Sequence, residues 1–587
     1  MTPHWRLRPH NADQIAALAR GAKLHELVAQ ILLNRGITEP AQARTFLDPR
    51  RDGLHDPETL PGITEAAKLI EAAVRAGRKI IIYGDYDVDG VCGTSILWAC
   101  LRLAGAADVE YYVPHRIKEG YGLNSDALRT LVRDRGASLI VTVDCGITAV
   151  NEARLARELG VELIITDHHT QGADLPEADV VVHPKRPGST YAFPELCGCG
   201  VAFKLAWQLC KSFGDGKKAS PHLRDFLIKA INLVALATVA DIMPLDGENR
   251  IFVRHGLRGL ADDGAAVGLK ALLQVSGLLG QNRLNSGSIG FRLAPRINAA
   301  GRLGSARRAV ELLTTDDAEL AFQLANELDE SNRQRQDLER TIVDQARAMV
   351  ERSGGLGDRG AIVIGHEGWH AGVIGIVASR LVEIYHRPTI VVSLTESGGQ
   401  GSARSIPGLN LVEALRDCSE GLTSYGGHAA AAGLRVPTDL FAPFAERFDH
   451  HCRGLLTDEL KRRELWIDAE VPLGVLTPRV VDALDALEPY GVRNPKPILT
   501  ASRVRVVGDP RPVGEHKQHL QFRVSQGNVV AKCIAWNMAE RGRVLTAGAT
   551  CSLAFHPSIN EWNGRRDVQL EIKDFQLARE DSHALPA

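Results

Sequence analysis

The chain has 587 residues with a formal net charge of −2, and 44% of the residues are hydrophobic. This length exceeds what one hydrophobic core usually supports, so several domains are expected, and the near-neutral charge neither favours nor excludes nucleic acid as a partner. Because residues 1–6 lack a signal-peptide core and no stretch reaches the ~18 apolar residues of a membrane span, we expect a globular cytoplasmic protein without a membrane anchor.

The first part of the chain, from about residue 20 to residue 77, is predicted to be helical. Residues 78–182 then alternate short β-branched runs with amphipathic segments. This alternation predicts a parallel sheet with right-handed crossovers and with helices at 90–103 and 149–159. Another apolar helix is predicted for residues 225–240, directly before Asp241.

Three acidic clusters follow three of these β-branched runs. The run 79–83 precedes Gly84-Asp85-Tyr86-Asp87-Val88-Asp89-Gly90, the run 139–143 precedes Asp144-Cys145-Gly146, and the run 161–166 precedes Asp167-His168-His169. Since ligands bind beyond the carboxyl ends of the strands in open α/β sheets, the three clusters are expected to form one site. One cluster alone is equally compatible with a solvated turn, because Asp and Gly are common turn residues, but three at successive strand ends favour a shared ligand.

The residue types in these clusters indicate divalent cations. Two carboxylates about 4 Å apart repel by roughly 4 kcal/mol at an effective dielectric constant near 20, so several together require bound cations. Oxygen ligands with one or two imidazoles suit such ions, and a pair of ions can drive phosphoryl chemistry. An EF-hand is excluded because Ile96 occupies the position of its final Glu. Adjacent His168 and His169 point in opposite directions in an extended stretch, so one could bind metal while the other faces substrate.

The second half of the chain predicts a spacer, another α/β unit and a barrel. A polar helix of roughly 50 Å is expected over 316–351. A second α/β unit follows, with strands at 361–365 and 389–392 and a helix at 372–384, and short strands over 464–575 fit a small β-barrel. The expected domains are an N-terminal helical segment 1–77, a catalytic domain 78–310, a connecting helix 311–353, a second α/β domain 354–455, a barrel 460–577 and a disordered tail 578–587.

The ten cysteines are scattered, and only Cys197 and Cys199 lie close together. A single C-x-C pair is weak evidence for zinc. Buried free thiols in a reducing compartment are the better interpretation.

Together these motifs resemble the DHH phosphoesterase superfamily, and within it the single-stranded-DNA-specific exonucleases. The resemblance covers nearly the whole chain and runs through the segments 84–90, 113–116, 119–124, 142–146, 167–169, 238–241, 292–302, 401–405 and 426–433. It implies an α/β architecture in which a parallel-sheet DHH domain and a second α/β DHH-associated domain are joined by the long helix and followed by a C-terminal β-barrel OB-fold.

The resemblance also implies the reaction and the residues that perform it. The family activity is stepwise 5′-to-3′ hydrolysis of single-stranded DNA to mononucleotides in recombination and DNA repair, with two divalent cations, Mn²⁺ preferentially or Mg²⁺. By motif, Asp87 and Asp89 are expected to bind the two ions with Asp85 close by. Asp144 is expected to bridge the ions, and His168 and Asp241 are expected to bind one of them. His169 is expected to contact the scissile phosphate and completes the catalytic set Asp87, Asp89, Asp144, His168, His169 and Asp241.

Basic and aromatic residues complete the expected substrate site. Arg292, Arg296, Asn298 and Arg302 lie in a stretch too rich in Gly and Pro for one regular helix; a salt-bridged connector is the alternative, whereas the resemblance implies a DNA-binding path. Ser402 and Arg404 look like an anion pocket for the 5′ phosphate, which Arg116 could join, and His428 could bind DNA or help close the cleft. In the barrel, Trp536 is predicted to be a core residue and Trp562, near a hairpin turn beside Arg565, to stack on bases.

Two departures and two alternatives remain open. His183 stands where the family more often has Asn and could perturb the surroundings of the metal site, and Arg493 stands where Gly is common. A phosphodiesterase of short oligonucleotides and a non-enzymatic single-stranded-DNA-binding scaffold are the competing functions. A monomer is expected, with a single-stranded-DNA-binding protein, a helicase and mismatch-repair proteins as partners implied by family roles.

Overall fold

A computed structural model describes residues 3–262, 264–562 and 564–578, so that nearly all of the predicted tail lies outside the described residues. The chain forms two compact units. The larger unit spans Arg51–Lys461, and the smaller one combines the described residues up to Arg50 with those from Arg462 onwards. The predicted N-terminal segment 1–77 is therefore divided between the two units. In the described part of the chain, no helix combines the length and hydropathy needed to cross a membrane.

The first sheet of the larger unit is entirely parallel, as predicted. Its strands, in spatial order, are Val109–Tyr112, Ile80–Gly84, Leu139–Val143, Glu162–Thr166 and Val180–Val182. The helices between and before them are Ile63–Arg75, Val88–Leu103, Ser125–Arg133 and Val150–Glu158. The central strands are buried, which explains why they consist of β-branched residues rather than an alternating pattern.

The strand order reverses direction between Ile80–Gly84 and Leu139–Val143, the kind of switch point at which open α/β sheets bind ligands. Main-chain hydrogen bonds continue one residue past the strands: Asp85 N–H donates to Val143 O, Asp144 N–H to Thr166 O and Asp167 N–H to Val182 O, at 3.2, 3.0 and 3.3 Å. The three acidic clusters thus leave the sheet together at one edge, which confirms that their strands are neighbours.

Helices complete the first lobe. They are Gly198–Ser212, Pro221–Ala240, Gly247–Ala261, Val267–Val275, Ser286–Ser288, the π-helix Ile289–Leu293, Ala294–Leu303 and Arg307–Thr314, with 3-10 turns at Arg51–Gly53 and Pro57–Thr59. The arginine-rich stretch 292–302 is helical, with one irregular π segment. Pro295 lies in the first turn of the following α-helix, where its missing N–H is tolerated.

The predicted connecting helix is Ala318–Arg352, with 35 residues. Beyond it the second sheet has the spatial order Ser424–Gly427, Ala431–Val436, Gly398–Arg404, Thr389–Thr395 and Ile362–Glu367, in which only the last two strands are parallel. The helices Ile374–Tyr385, Leu411–Asp417 and Phe441–Leu455 and the 3-10 turn Thr438–Leu440 complete this lobe. This confirms a second α/β unit.

The smaller unit contains the predicted barrel. Strands Leu499–Val513, His519–Gln526, Val529–Ala535, Arg565–Leu577 and Thr550–Trp562 pair in this order, and the last pairs again with the first, which closes the barrel. Around it lie the helices Ala12–Ala22, Glu26–Asn34, Pro40–Leu47 and Pro478–Asp485, the 3-10 turns Leu473–Val475 and Arg541–Val544, the short strand Ala469–Glu470 and a parallel ribbon of His4–Leu7 with Glu464–Ile467. The connectivity is that of an OB-fold.

Two residues of this unit bear on the predictions. Trp536 is 50% exposed, so the prediction that it belongs to the core is wrong. Ala531, Cys533 and Ala535 alternate inward along the strand, which places Trp536 on the outside. Arg493 has a φ of 60°, the left-handed region in which glycine is unstrained, which fits the expectation that Gly is common at this position.

Candidate active site

Asp87 and Asp89 are fixed by main-chain donors at two helix starts. Asp87 caps the helix Val88–Leu103, and its Oδ1 accepts hydrogen bonds from the N–H groups of Asp89 and Gly90 at 2.9 and 3.2 Å. Asp89 is buried, and both of its carboxylate oxygens accept hydrogen bonds from another helix start, Oδ2 from Gly198 N–H at 2.6 Å and Oδ1 from Cys199 N–H at 2.8 Å. Helix N-termini favour negative charge, although burial and the charge of Asp89 raise the pKa of Asp87.

Asp85 and Asp144 are buried beside them. Asp144 has a φ of 64°, which turns the chain sharply at the end of its strand. Among the described residues, Asp85 Oδ1, Asp144 Oδ1 and His168 Nε2 are buried and have no hydrogen-bond partner. Buried polar atoms are normally paired, so three unpaired ligand-type atoms at one site fit the binding of a cation. Asp144 Oδ1 and His168 Nε2 are only 3.2 Å apart.

The two adjacent histidines differ in burial, but the prediction that they point in opposite directions is wrong: the chain bends at His169, and the two ring centroids are only 4.4 Å apart. His168 is buried, and burial lowers its pKa to about 4, which keeps the imidazole neutral and able to bind a metal. His169 is buried only in part, with its Nδ1 2.7 Å from Asp167 Oδ1. Burial opposes charge on His169, but the hydrogen bond and the negative charge of Asp167 raise its pKa to about 9.

Asp167 organises this loop. Its Oδ1 accepts hydrogen bonds from the N–H groups of both histidines, at 2.7 and 3.1 Å, and its Oδ2 accepts one from Ile147 N–H at 2.9 Å. Burial raises the pKa of Asp167, but the hydrogen bond from His169 outweighs it and lowers the pKa to about 2. Asp167 therefore orients His169 and has no free oxygen directed at the cation site.

Asp241 reaches the acidic site from the end of a helix rather than from a strand of the sheet. It follows the helix Pro221–Ala240, and its Oδ2 lies 3.6 Å from His168 Nε2. Burial and the charges of Asp89 and Asp87 raise the pKa of Asp241 to about 9. The next residue, Ile242, has a φ of 57° and is exposed, which is unusual for a β-branched side chain and marks a constrained turn.

Three overlapping groups of side chains have ligand atoms within 4.8 Å of one another: Asp85, Asp87 and Asp144; Asp89, His168 and Asp241; Asp144, His168 and His169. Asp144 and His168 each belong to two groups, so the groups form one continuous site with room for neighbouring ions. Burial and the charges of Asp89, Asp87, Asp85 and Asp241 raise the pKa of Asp144 well above its usual value. The residues therefore fit two divalent cations, which would relieve this repulsion.

Three guanidinium groups converge beside the acidic site. Arg116 stacks on the ring of Tyr86 at 4.7 Å, and Arg404 Nη1 donates to Ser402 Oγ at 3.0 Å. Burial and the charges of Arg116, Arg335 and Arg404 lower the pKa of Arg302 to about 10. A side chain at Gly375, near the start of Ile374–Tyr385, would lie 2.9 Å from Ser402 Oγ, so this glycine lets the helix start approach the pocket. Arg116, Ser402 and Arg404 lie together as expected, and Arg302, which was expected on a DNA path with Arg292 and Arg296, joins them. These four residues are hereafter the basic pocket.

Other predicted substrate residues have local partners instead. Arg292 donates to Ser276 O, and Arg296 forms a salt bridge of 2.8 Å with Asp329 on the connecting helix, the alternative that the sequence left open. Asn298 Oδ1 accepts a hydrogen bond from Val88 N–H at 3.2 Å and so supports the acidic loop. His428 is exposed at a sheet edge. The Trp562 side chain lies outside the described residues, although its backbone ends a hairpin strand as predicted.

Two contributions were not predicted from the sequence. The N–H groups of Gly198 and Cys199 bind Asp89, and the short Gly- and Cys-rich run before an apolar helix was the only signal for them. Tyr121 lies between two glycines of positive φ, and its hydroxyl is 3.0 Å from His169 Nδ1 and 3.2 Å from Asp144 O. All ten cysteines are buried and free, which confirms the interpretation of the thiols.

Known proteins with similar sequences and folds match nearly the whole chain. Family models match at residues 79–237 (DHH family, N-terminal domain), 358–453 (DHHA1 domain) and 467–574 (RecJ OB domain). The single-stranded-DNA-specific exonuclease RecJ of Bacillus subtilis is 39% identical over 573 residues, covering 97% of this chain and 70% of that protein. The crystal structure of RecJ from Thermus thermophilus in complex with Mn²⁺ superposes with a TM-score of 0.82 at 34% identity, covering 99% of this chain and 80% of the other. The structure of the same protein in complex with Mg²⁺ superposes with a TM-score of 0.77 at 32% identity, covering 100% of this chain and 79% of the other.

Proposed function

The chain belongs to the RecJ family of the DHH phosphoesterases, and from this membership and the site geometry we propose that it is a metal-dependent exonuclease specific for single-stranded DNA. The observation that carries the proposal is that Asp85, Asp144 and His168 each have a buried unpaired ligand atom and belong to overlapping ligand groups beside a basic pocket. We further propose 5′-to-3′ polarity, mononucleotide products and a role in recombination and DNA repair, all of which rest on the family.

The proposed ligands follow the three groups of side chains. Asp85, Asp87 and Asp144 would hold one cation, and Asp89, His168 and Asp241 the other, with Asp144 between them. When bound, Mn²⁺ or Mg²⁺ supplies activation of a water nucleophile and stabilises the charge that develops on the phosphate. The helix starts that bind Asp87 and Asp89 keep these carboxylates in place without competing for their remaining lone pairs.

His169 is the residue proposed to face the scissile phosphate. Its Nδ1 is engaged by Asp167, which leaves the N–H on Nε2 for a phosphate oxygen. The raised pKa keeps the ring protonated at neutral pH in the metal-free protein. Tyr121 and Asp167 together restrict the ring to one orientation.

The basic pocket is proposed to bind the terminal 5′ phosphate. Arginine recognises phosphate through paired, charge-assisted hydrogen bonds, and three arginines close together without carboxylate partners among the described residues need an anion. A terminal phosphate held there would place the next phosphodiester at the acidic site, so that one nucleotide is removed per cut.

Replacing Arg404 with alanine is expected to remove the preference for 5′-phosphorylated over 5′-hydroxyl oligonucleotides and to slow cleavage of the former by about 10–100-fold, the equivalent of roughly 1.5–3 kcal/mol for a hydrogen bond to a charged group. Initial rates on both substrates measure this. Arg435→Ala is the matched control, since Arg435 is exposed on the neighbouring strand. Equal rates for Arg404→Ala and its parent would exclude the pocket.

The barrel is proposed to bind a further part of the strand. OB-folds bind oligonucleotides with the outer face of their second and third strands. In this barrel that face carries a cross-strand pair of Arg523 and Lys532. The exposed Trp536 directly follows the third strand, and its ring is 4.7 Å from that of His519. Stacked bases contribute roughly 1–3 kcal/mol each on such aromatics. We propose Trp536 as a stacking residue beside Trp562, which stays a prediction because its side chain lies outside the described residues.

Trp536→Ala is expected to weaken binding of single-stranded DNA by roughly 5–100-fold, following the stacking energy of one base. Fluorescence anisotropy in EDTA, which prevents cleavage, measures the dissociation constant. Trp466→Ala is the control because Trp466 is also exposed in this unit but lies outside the barrel strands. If the two variants bind alike, the face is not the binding surface.

The proposed activity is tested with 5′- and 3′-labelled single strands, duplex DNA and RNA, each with and without Mn²⁺. We expect labelled mononucleotide from the 5′-labelled single strand at once, progressive shortening of the 3′-labelled strand, and resistance of the duplex. Cleavage of only very short oligonucleotides would favour the alternative phosphodiesterase, and binding without metal-dependent release would favour the scaffold.

Domain limits, assembly and partners are proposals that rest on sequence and family roles. We propose a DHH domain at 78–310, a connecting helix at 311–353, a DHH-associated domain at 354–455 and an OB-fold at 460–577. We also propose a cytoplasmic monomer that acts with a single-stranded-DNA-binding protein, a helicase and mismatch-repair proteins. Light scattering during size-exclusion chromatography tests the monomer, and co-purification tests the partners.

A further inference from the structure

His183 is a buried histidine directly behind the proposed catalytic loop. It follows the strand Val180–Val182, which pairs with Glu162–Thr166 so that Val182 lies opposite Thr166. His183 and Asp167 therefore leave the same edge of the sheet from neighbouring strands. The His183 ring has no solvent exposure.

The hydrogen bonds of the ring fix its tautomer. Nδ1 lies 3.0 Å from Lys185 N, and Nε2 lies 2.9 Å from His169 O. A backbone N–H can only donate and a carbonyl can only accept, so Nδ1 must be the acceptor and the proton must be on Nε2. The Gln171 amide nitrogen, 3.3 Å from Nδ1 and 2.7 Å from Lys185 O, fits the same assignment.

Hydrogen bonds hold the His168–His169 dipeptide at both of its ends. Asp167 Oδ1 accepts the N–H groups of both residues, which fixes the start of the dipeptide. The Nε2–H of His183 fixes the carbonyl at its end. Without that second hydrogen bond the peptide after His169 could rotate, and both imidazoles would move relative to Asp144.

We propose that His183 is a positioning residue, which sets the orientation of His168 for metal binding and of His169 for the phosphate. The expected change in kcat rests on the proposed function, whereas the expected change in metal affinity does not. Groups that orient metal ligands from behind contribute about 10–100-fold to metal affinity or activity.

Three substitutions separate the hydrogen bonds of the ring from its bulk. His183→Ala removes both. His183→Gln keeps a donor near the position of Nε2, whereas His183→Leu keeps much of the bulk but neither hydrogen bond. His556→Ala is the matched control, since His556 is also buried and bonds a carbonyl, that of Pro497, in the smaller unit.

The readouts are Mn²⁺ affinity by isothermal titration calorimetry, kcat and KM on a 5′-phosphorylated oligonucleotide, and the melting temperature. We expect His183→Ala and His183→Leu to lose about 10–100-fold in Mn²⁺ affinity or kcat with KM within twofold of the parent, and His183→Gln to recover most of the loss. His556→Ala should lower only the melting temperature.

The proposal is overturned if His183→Ala keeps both Mn²⁺ affinity and kcat within twofold, or if Leu restores them as well as Gln. Equal losses in His183→Ala and His556→Ala would likewise reduce the role of His183 to general stability. If the parent protein does not cut DNA, the proposed function fails, and the Mn²⁺ titration still decides the role of His183.

Discussion

Replacing Asp144 with asparagine is expected to reduce metal-dependent release of nucleotides from single-stranded DNA by about 10³-fold or more. Metal ions contribute several kcal/mol to such reactions, and each 1.36 kcal/mol is a tenfold change in rate. Asp144 belongs to two of the three ligand groups, so the loss of its charge affects both cation positions. Asn keeps the shape of the side chain, which separates the loss of charge from a loss of packing.

The same substitution is expected to raise the melting temperature of the metal-free protein. The raised pKa of Asp144 means that ionising it costs folding free energy at every pH above its unfolded-state pKa, a cost imposed by burial and by Asp89, Asp87 and Asp85. Asn removes this cost at neutral pH. Conversely, Mn²⁺ should raise the melting temperature of the parent strongly and that of Asp144→Asn much less, because a ligand stabilises only the state that binds it.

Nuclease assays, differential scanning fluorimetry with Mn²⁺ or EDTA, and DNA binding in EDTA measure these effects. Asp13→Asn, at an exposed position of the helix Ala12–Ala22, is the control for the loss of one carboxylate. DNA affinity should be unchanged by Asp144→Asn. An Asp144→Asn variant with more than a tenth of the parental rate would exclude the proposed bridging position.

The substitution Gly198→Ala is expected to reduce kcat by about 10²-fold although it adds a single methyl group. The new Cβ would lie 2.6 Å from Cβ of Asp144 and closer still to its Oδ1, so Asp144 or the helix start must shift. The N–H of Gly198 also binds Asp89, so a shift of the helix start moves a second acid. A misplacement of about 1 Å at a catalytic site can cost about 10²-fold, and overpacking costs roughly 1–3 kcal/mol of stability.

Gly200→Ala in the same helix is the matched control. Its Cβ would be 3.4 Å from the nearest atoms of Leu196, an ordinary contact, and alanine is the better helix former. We expect Gly200→Ala to keep activity and Mn²⁺ affinity within about threefold of the parent, while Gly198→Ala loses both. Comparable activity of the two variants would show that the space next to Asp144 is not critical.

Much of the fold could be predicted because its signals are local. The β-branched runs 80–84, 139–143 and 162–166 are strands within a residue or two of the expected limits, and the connecting helix and the barrel also appear where expected. Local sequence patterns did not predict burial where it depends on how elements pack against one another. Trp536 has a large apolar side chain of the kind common in cores, but the inward–outward alternation along its strand places that side chain on the outside.

The candidate site likewise has one part that the sequence predicts and another that only the tertiary structure shows. The sequence by itself determined the acids, because Asp85, Asp87, Asp144 and His168 end strands that must pair side by side, and this adjacency follows from parallel-sheet rules. Only the tertiary structure decided which basic residues meet them. Arg302 reaches the basic pocket, whereas Arg296, on the same helix, pairs with Asp329. Positions six residues apart point about 120° away from each other around a helix, so the two side chains meet different neighbours.

The supporting groups were also decided by the tertiary structure alone. The N–H groups of Gly198 and Cys199, the carboxylate of Asp167 and the ring of His183 act through main-chain or buried contacts. A main-chain donor carries no side-chain signature in the sequence, and a buried histidine has the same letter whether it fills a core or holds a catalytic loop. The sequence thus determines the proposed ligand residues, and long-range packing determines what holds them and which basic residues lie next to them.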